Sequence, residues 1–173
     1  ALAAPQRPQT PAASPASGAL SYRTLGKTGL KVTSVGFGCM ITSDPAVIAR
    51  GLDMGVTYFD TARYYQQGNN ERMVGSVLKG SRDKITLSSK SLASVKAEAQ
   101  QHLETSLKEL GTDHLDIWHM HMRDEPGAIT DDCLEVWTAA KKAGKIRFFG
   151  VSTHNPNAIV DKVLSAGVFD VLL

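Results

Sequence analysis

The sequence predicts an α/β protein, an incomplete β/α barrel of about six strands and five helices preceded by a small N-terminal hairpin. Short β-rich runs alternate with longer helical stretches, the signature of consecutive βα units in a parallel sheet. The helix ends carry capping chemistry. The polar and ionisable residues that stand out fall at the ends of the predicted strands, where β/α barrels carry their chemistry.

Taken in order, residues 1–20 (ALAAPQRPQTPAASPASGAL) are almost wholly Ala, Pro, Ser, Gln and Gly. They offer too little apolar surface to order themselves and are expected to form a flexible tail. Their small-residue opening resembles the end of an export signal, and an interdomain linker fits equally. The expected location is therefore cytoplasmic, or periplasmic if the tail is a signal remnant. Residues 21–173 form the folded part, beginning with a hairpin in YRTLGKTGLKV around Gly26 and Gly29. The predicted strands are VTSVGFG, VTYF, KITLSS, LDIWHM, KIRFFGV and VFDVLL.

Between them, Asp44-Pro45 and Asn155-Pro156 each supply a cap and a pre-set first helical turn. Gly55, Gly80, Gly111 and Gly144 stand where helices should end. From Ser94 to Leu110, Val95, Leu103, Leu107 and Leu110 fall near one face, with Lys96, Glu98, Lys108 and Glu109 left for solvent. A closed eight-stranded barrel takes about 250 residues, so the chain reads as the N-terminal part of one.

Composition narrows the function. Apolar residues make up 42% and charged residues 21% of the 173, enough for one globular domain with a core. The net charge of +2 is spread along the chain, so no basic stripe for nucleic acid is expected. No apolar run approaches the roughly 18 residues of a membrane span. Cys39 and Cys133 stand alone, without CxxC or a neighbouring His at ligand spacing, so neither a metal site nor a disulfide framework is expected. Both read as buried thiols. Oligomeric state is not legible.

At the strand ends, VTYF is followed by Asp60, KITLSS by Lys90, LDIWHM by His121 and KIRFFGV by Ser152, and Tyr65 follows Asp60 in the same loop. Each has a bland reading. Asp60 could cap a helix, Lys90 could be solvated, and Tyr65 could be a half-buried loop aromatic. His119 and His121 should point to the same side of their strand, one of them merely packing. His102 and His114 read as surface residues. Together, however, Asp60, Tyr65, Lys90 and His121 would converge on one mouth. Tyrosine is a poor acid at neutral pH, and a nearby ammonium stabilises the phenolate it leaves. Lys90 could supply that ammonium, Asp60 its counter-charge, and His121 a hydrogen bond to a substrate oxygen.

LGKTGLKVTSVGFGCM, GVTYFDTARYYQQGNNERMVG, SSK, LGTDHLDIWHMH and AGKIRFFGVS resemble successive blocks of the aldo-keto reductase superfamily, across nearly everything from Tyr22 to Leu173. The most specific part is FDTA with Tyr65 and Glu71 behind it. The resemblance implies a (β/α)8 TIM barrel that binds NADPH and reduces an aldehyde or ketone by hydride transfer. It implies Tyr65 as proton donor, tuned by Lys90 and Asp60, with His121 orienting the small carbonyl substrate. It further implies that Ser152 holds the nicotinamide carboxamide, that Cys39 and Met40 lie beside the nicotinamide, and that Asp60 and Thr153 adjoin the cofactor. The chain departs from the family pattern at Gln66, where glycine is usual, at Thr153, and at Met122-Arg123. GVSTHN and YYQQGNNERMVG resemble a bacterial branch. The family's grip on the cofactor phosphates lies mostly beyond residue 173, so this chain alone is expected to turn over little. A nucleotide-binding regulatory or redox-sensing barrel subunit is the alternative, and a flavodoxin-like sheet would fit the βα count but not the motifs.

Overall fold

The computed structural model describes residues 20–173. Of the expected tail, residues 1–19 lie outside the described residues, while Leu20 packs against the core. The chain opens with an antiparallel hairpin, β1 (Tyr22–Thr24) and β2 (Lys31–Thr33), in which Tyr22 lies opposite Thr33 and Thr24 opposite Lys31. Six parallel strands follow in sequence order: β3 (Phe37–Gly38), β4 (Tyr58–Asp60), β5 (Thr86–Ser91), β6 (Leu115–Met120), β7 (Ile146–Val151) and β8 (Val171–Leu172). The five connecting helices are α1 (Pro45–Asp53), α2 (Asn69–Leu78), α3 (Lys96–Leu110), α4 (Asp131–Lys142) and α5 (Pro156–Ala166). This is an α/β fold with a curled parallel half-barrel, an incomplete (β/α)8 barrel.

The expected first strand is in fact divided. Val32 and Thr33 belong to the hairpin, and only Phe37 and Gly38 join the parallel sheet. The chain bends between them at Ser34 and Val35, and Gly36 then passes the Tyr58 ring so closely that a Cβ there would lie 2.8 Å from Cδ1. The bend turns Leu30 and Val32 onto Ile117, Tyr58 and Phe148, where the hairpin plugs the bottom of the curled sheet.

Period-2 alternation then sorts the strands into two faces. Phe59, Leu87, Trp118 and Phe149 face the helices, where Trp118 stacks on Trp137 with ring centroids 3.6 Å apart. The Trp137 Nε1–H donates to the Trp118 carbonyl at 2.9 Å. Burying side chains of this size stabilises the fold by about 1.5–3 kcal/mol each.

The helix ends follow sequence chemistry with exceptions. Asp44 caps α1 by accepting from Ala46 N at 2.8 Å, and Thr130 caps α4 in the same way, a cap the sequence reading passed over. Asn155 makes no side-chain cap bond. Gly55, Gly111 and Gly144 take the left-handed conformation expected of helix stops, whereas Gly80 sits inside a 3₁₀ stretch, Lys79–Lys84, without a positive φ. Leu103, Leu107 and Leu110 bury one face of α3. Val95 does not join them: it precedes the helix in extended backbone and is exposed, and Ala99 and Ser106 complete the buried face. No helix among the described residues is long and apolar enough to cross a membrane.

Candidate active site

Parallel strands bring their C-terminal ends to one rim, and register sets the neighbours. Asp60 pairs with Ser88, Lys90 with His119, and His119 with Gly150. Lys90 is 2% exposed and uses all three ammonium protons. It donates to the Asp60 carboxylate, to the Thr61 carbonyl at 2.9 Å, and to the Tyr65 hydroxyl oxygen at 3.2 Å. The other Asp60 oxygen accepts from the Ser88 hydroxyl at 2.5 Å. The buried ammonium is thus compensated by an ion pair and full hydrogen bonding, the condition under which such a charge is tolerated. Since Tyr65 Oη only accepts from Lys90, its own proton remains available.

His121 stands edge-on to the Tyr65 ring, with centroids 5.7 Å apart and planes at 79°. Burial, and then the Lys90 charge, pushes its imidazole down to about 4, so it is neutral at pH 7. Its Nδ1 has no protein partner. His119 points the same way one layer deeper. It is fully buried, is likewise pushed down to about 4 chiefly by burial, and packs over Gly150. His121 is therefore the rim histidine and His119 the packing one. Tyr58, beneath Asp60, is held protonated, pushed up to about 12 by burial and then by the Asp60 charge.

Two adjoining cavities share this rim. The smaller, about 180 Å³, is lined by Asp60, Tyr65, Lys90, His121, Ser152 and Thr153, among others. The wider, about 410 Å³, is lined by Met40, Tyr64, Tyr65, Gln66, His121, Met122 and His154. Ser152 Oγ accepts from Met122 N at 3.0 Å and keeps its own proton to give. Thr153 reaches the smaller cavity, but its hydroxyl already donates to Asp124 at 3.0 Å and accepts from Asn155 N at 2.9 Å. Met40 is exposed on the wall of the wider cavity.

Cys39 is the buried thiol that its isolated place in the sequence predicts, and it does not reach the rim cavities. Its side chain is wholly buried in the helix-facing core, and burial pushes its thiol up to about 12. Alternation places it there, two residues after Phe37, which packs against the same helix-facing core. Glu71 is also away from the rim. It accepts from Ser89 Oγ at 2.6 Å and pairs with Arg63 at 2.5 Å behind the sheet, where burial pushes its carboxyl up. His102 is half-buried rather than superficial and lies 2.8 Å from Ser91 Oγ. Sequence reasoning missed Ser88, which only the alternation that puts it two residues before Lys90 on the same face could have marked, and it singled out Gln66 only as a departure from the family pattern. Among the described residues no cluster of His, Cys, Asp or Glu could hold a metal.

Parallel βα units in a curled sheet, with an ion-paired lysine beneath a tyrosine at the strand ends, define a β/α-barrel protein with acid–base groups at its mouth. A sequence model described as the Aldo/keto reductase family matches residues 43–173. The chain belongs to the aldo/keto reductase family. It is 30% identical over 159 residues to aldo-keto reductase YhdN of Bacillus subtilis, covering 79% of this chain and 48% of that protein. The holo form of aldo-keto reductase AKR11C1 from Bacillus halodurans superposes with a TM-score of 0.77 at 31% identity, covering 88% of this chain and 55% of that one. A Klebsiella pneumoniae aldo-keto reductase in complex with NADPH gives 0.73 at 29% identity, over 84% of this chain and 54% of that one. The chain spans about half the length of the curated relatives it matches.

Proposed function

We propose that this chain carries the acid–base half of an NADPH-dependent oxidoreductase that reduces an aldehyde or ketone to an alcohol. The observation that carries the reading is Tyr65 Oη, 3.2 Å from a buried Lys90 whose charge is balanced by Asp60. Family membership and the relative in complex with NADPH support it. The residues present fit the nicotinamide end of the cofactor: Ser152 has a hydroxyl proton to give, and neutral His121 lines the same cavity. Lys90 is the only lysine or arginine among the described residues lining either cavity, and its ammonium is already committed to Asp60, Thr61 and Tyr65.

When bound, NADPH supplies the hydride to the carbonyl carbon. Tyr65 gives its proton to the carbonyl oxygen, completing the hydroxyl. The phenolate left behind faces the Lys90 ammonium, which Asp60 and the Thr61 carbonyl hold in place. Neutral His121 donates a hydrogen bond to the same oxygen and adds no competing charge. Ser152 orients the carboxamide through its free hydroxyl proton.

The test is NADPH oxidation, followed by absorbance, with an aldehyde panel and the full-length protein. Turnover that persists undiminished in Tyr65→Phe would sink the assignment of the acid.

A further inference from the structure

The segment after Tyr65 holds the longest run of left-handed backbone among the described residues. Gln66, Gln67 and Gly68 have φ of 50°, 56° and 89°, three successive residues in the left-handed region, of which only the last is glycine. Side chains reach this region rarely, because Cβ crowds the following carbonyl, and such outliers persist only where surroundings impose them. Here the turn is pinned on two sides. Behind it, the Arg63 guanidinium occupies the space above Gly68, so close that a Cβ would lie 1.7 Å from Nη2, and Glu71 holds Arg63. In front, Gln66 Nε2 donates to the Thr42 carbonyl at 2.7 Å and to the Met40 carbonyl at 3.3 Å.

Those carbonyls belong to the loop after β3, which carries Met40 into the wider cavity. Buried Asn70 grips the same loop, donating to the Cys39 carbonyl at 2.8 Å and the Thr42 carbonyl at 3.4 Å while accepting from Thr61 Oγ1 at 2.6 Å. Asn70 already secures the loop to the sheet. The Gln66 amide adds a different link: it ties the loop to the residue adjoining Tyr65, and it does so from an exposed position that packing does not impose.

We propose that Gln66 is a positioning residue, whose amide holds the Tyr65 phenol over Lys90 and couples that placement to the Met40 wall of the cavity. The clamp rests on geometry alone, while its effect on turnover rests on the oxidoreductase reading above. Gln66 thereby does with a side chain what a glycine would leave undone: it accepts the left-handed backbone and fixes it.

The test compares Gln66→Gly and Gln66→Glu in the full-length protein. Glycine takes the left-handed backbone freely, which spares folding, and glutamate keeps the length but offers oxygen to the two carbonyls in place of N–H. Amide exchange across residues 64–68 should quicken roughly tenfold in both variants. Turnover of an aldehyde at saturating NADPH should fall roughly tenfold, with aldehyde KM changing less than about twofold and the melting temperature of Gln66→Gly preserved. Wild-type exchange rates in both variants, or an unchanged kcat, would overturn the proposal. So would a loss of kcat matched by an equal rise in KM. A wild type that reduces no aldehyde refutes the oxidoreductase reading separately, and the exchange rates then decide the clamp: faster exchange upholds it and unchanged exchange removes it.

Discussion

Lys90 and Tyr65 meet at 3.2 Å, from ammonium nitrogen to phenol oxygen, although one lies inside a strand and the other in a loop 25 residues earlier. The contact places a full positive charge where a phenolate would form, and Asp60 neutralises that charge from the opposite side. Each part of the arrangement can be removed separately.

Tyr65→Phe deletes the hydroxyl and keeps the ring that stands against His121. Turnover should drop by roughly 10²–10⁴, the usual contribution of a positioned general acid. NADPH affinity, measured by fluorescence titration, should stay within about twofold of wild type. A variant that loses affinity as steeply as turnover would make Tyr65 a binding residue instead.

Lys90→Met strips the counter-charge from Asp60 and leaves the Thr61 carbonyl without its donor. Breaking one side of a buried pair costs about 3–5 kcal/mol, discounted here because Asp60 is 18% exposed. Urea unfolding should show a loss of about 2–3 kcal/mol, and the double variant Asp60→Asn/Lys90→Met should recover part of it. Additive losses would mean that the two charges do not act as a pair.

Gly150→Ala forces a methyl to within 2.3 Å of His119 Nδ1, and neither β7 nor the fully buried imidazole has room to retreat. Overpacking of this kind costs about 1–3 kcal/mol. Adding His119→Ala should relieve that strain, so the double variant should be more stable than the sum of the two single losses predicts. Equality with the sum would place the clash elsewhere.

Acid should destabilise the fold through the histidines. His119 and His121 are pushed down from an ordinary value of 6.5 to about 4 in the folded chain, so the unfolded chain binds more protons between those limits. Their contribution is therefore fully present above pH 6.5 and is lost progressively as pH falls toward about 4. For His119 the loss is on the order of 3 kcal/mol. The urea midpoint should fall across this window, and His119→Gln should flatten the slope. A midpoint insensitive to pH between these values would refute the neutral buried imidazole.

Much of the architecture was legible because it rests on local patterns. The strands LDIWHM and KIRFFGV lie where their β-rich runs placed them, KITLSS is displaced two residues onward so that Lys90 sits inside β5, and Asp44, Gly111 and Gly144 punctuate helices as their chemistry requires. Errors came where a distant segment decided the outcome. Val32 and Thr33 read as part of a barrel strand, but the chain bends at Ser34 and Val35 and pairs them with Arg23 and Tyr22 in the hairpin. Cys39 read as a buried thiol and as a neighbour of the cofactor; it is buried on the helix-facing side and lines neither rim cavity. Ser88 carried no motif and became the partner of Asp60 only through register.

By itself, the sequence determined the order of the βα units and which strand ends carry ionisable groups. Alternation and capping are local, and a parallel sheet brings every strand's C-terminal end to the same rim. Only the tertiary structure decided how those groups are used. The three donations of Lys90, the dehydration of His119 and His121, and the grip of Gln66 on Met40 and Thr42 all depend on atoms from distant parts of the chain. The curl of the sheet brings those atoms within hydrogen-bond range, and hydrogen bonding and desolvation act only over distances that short.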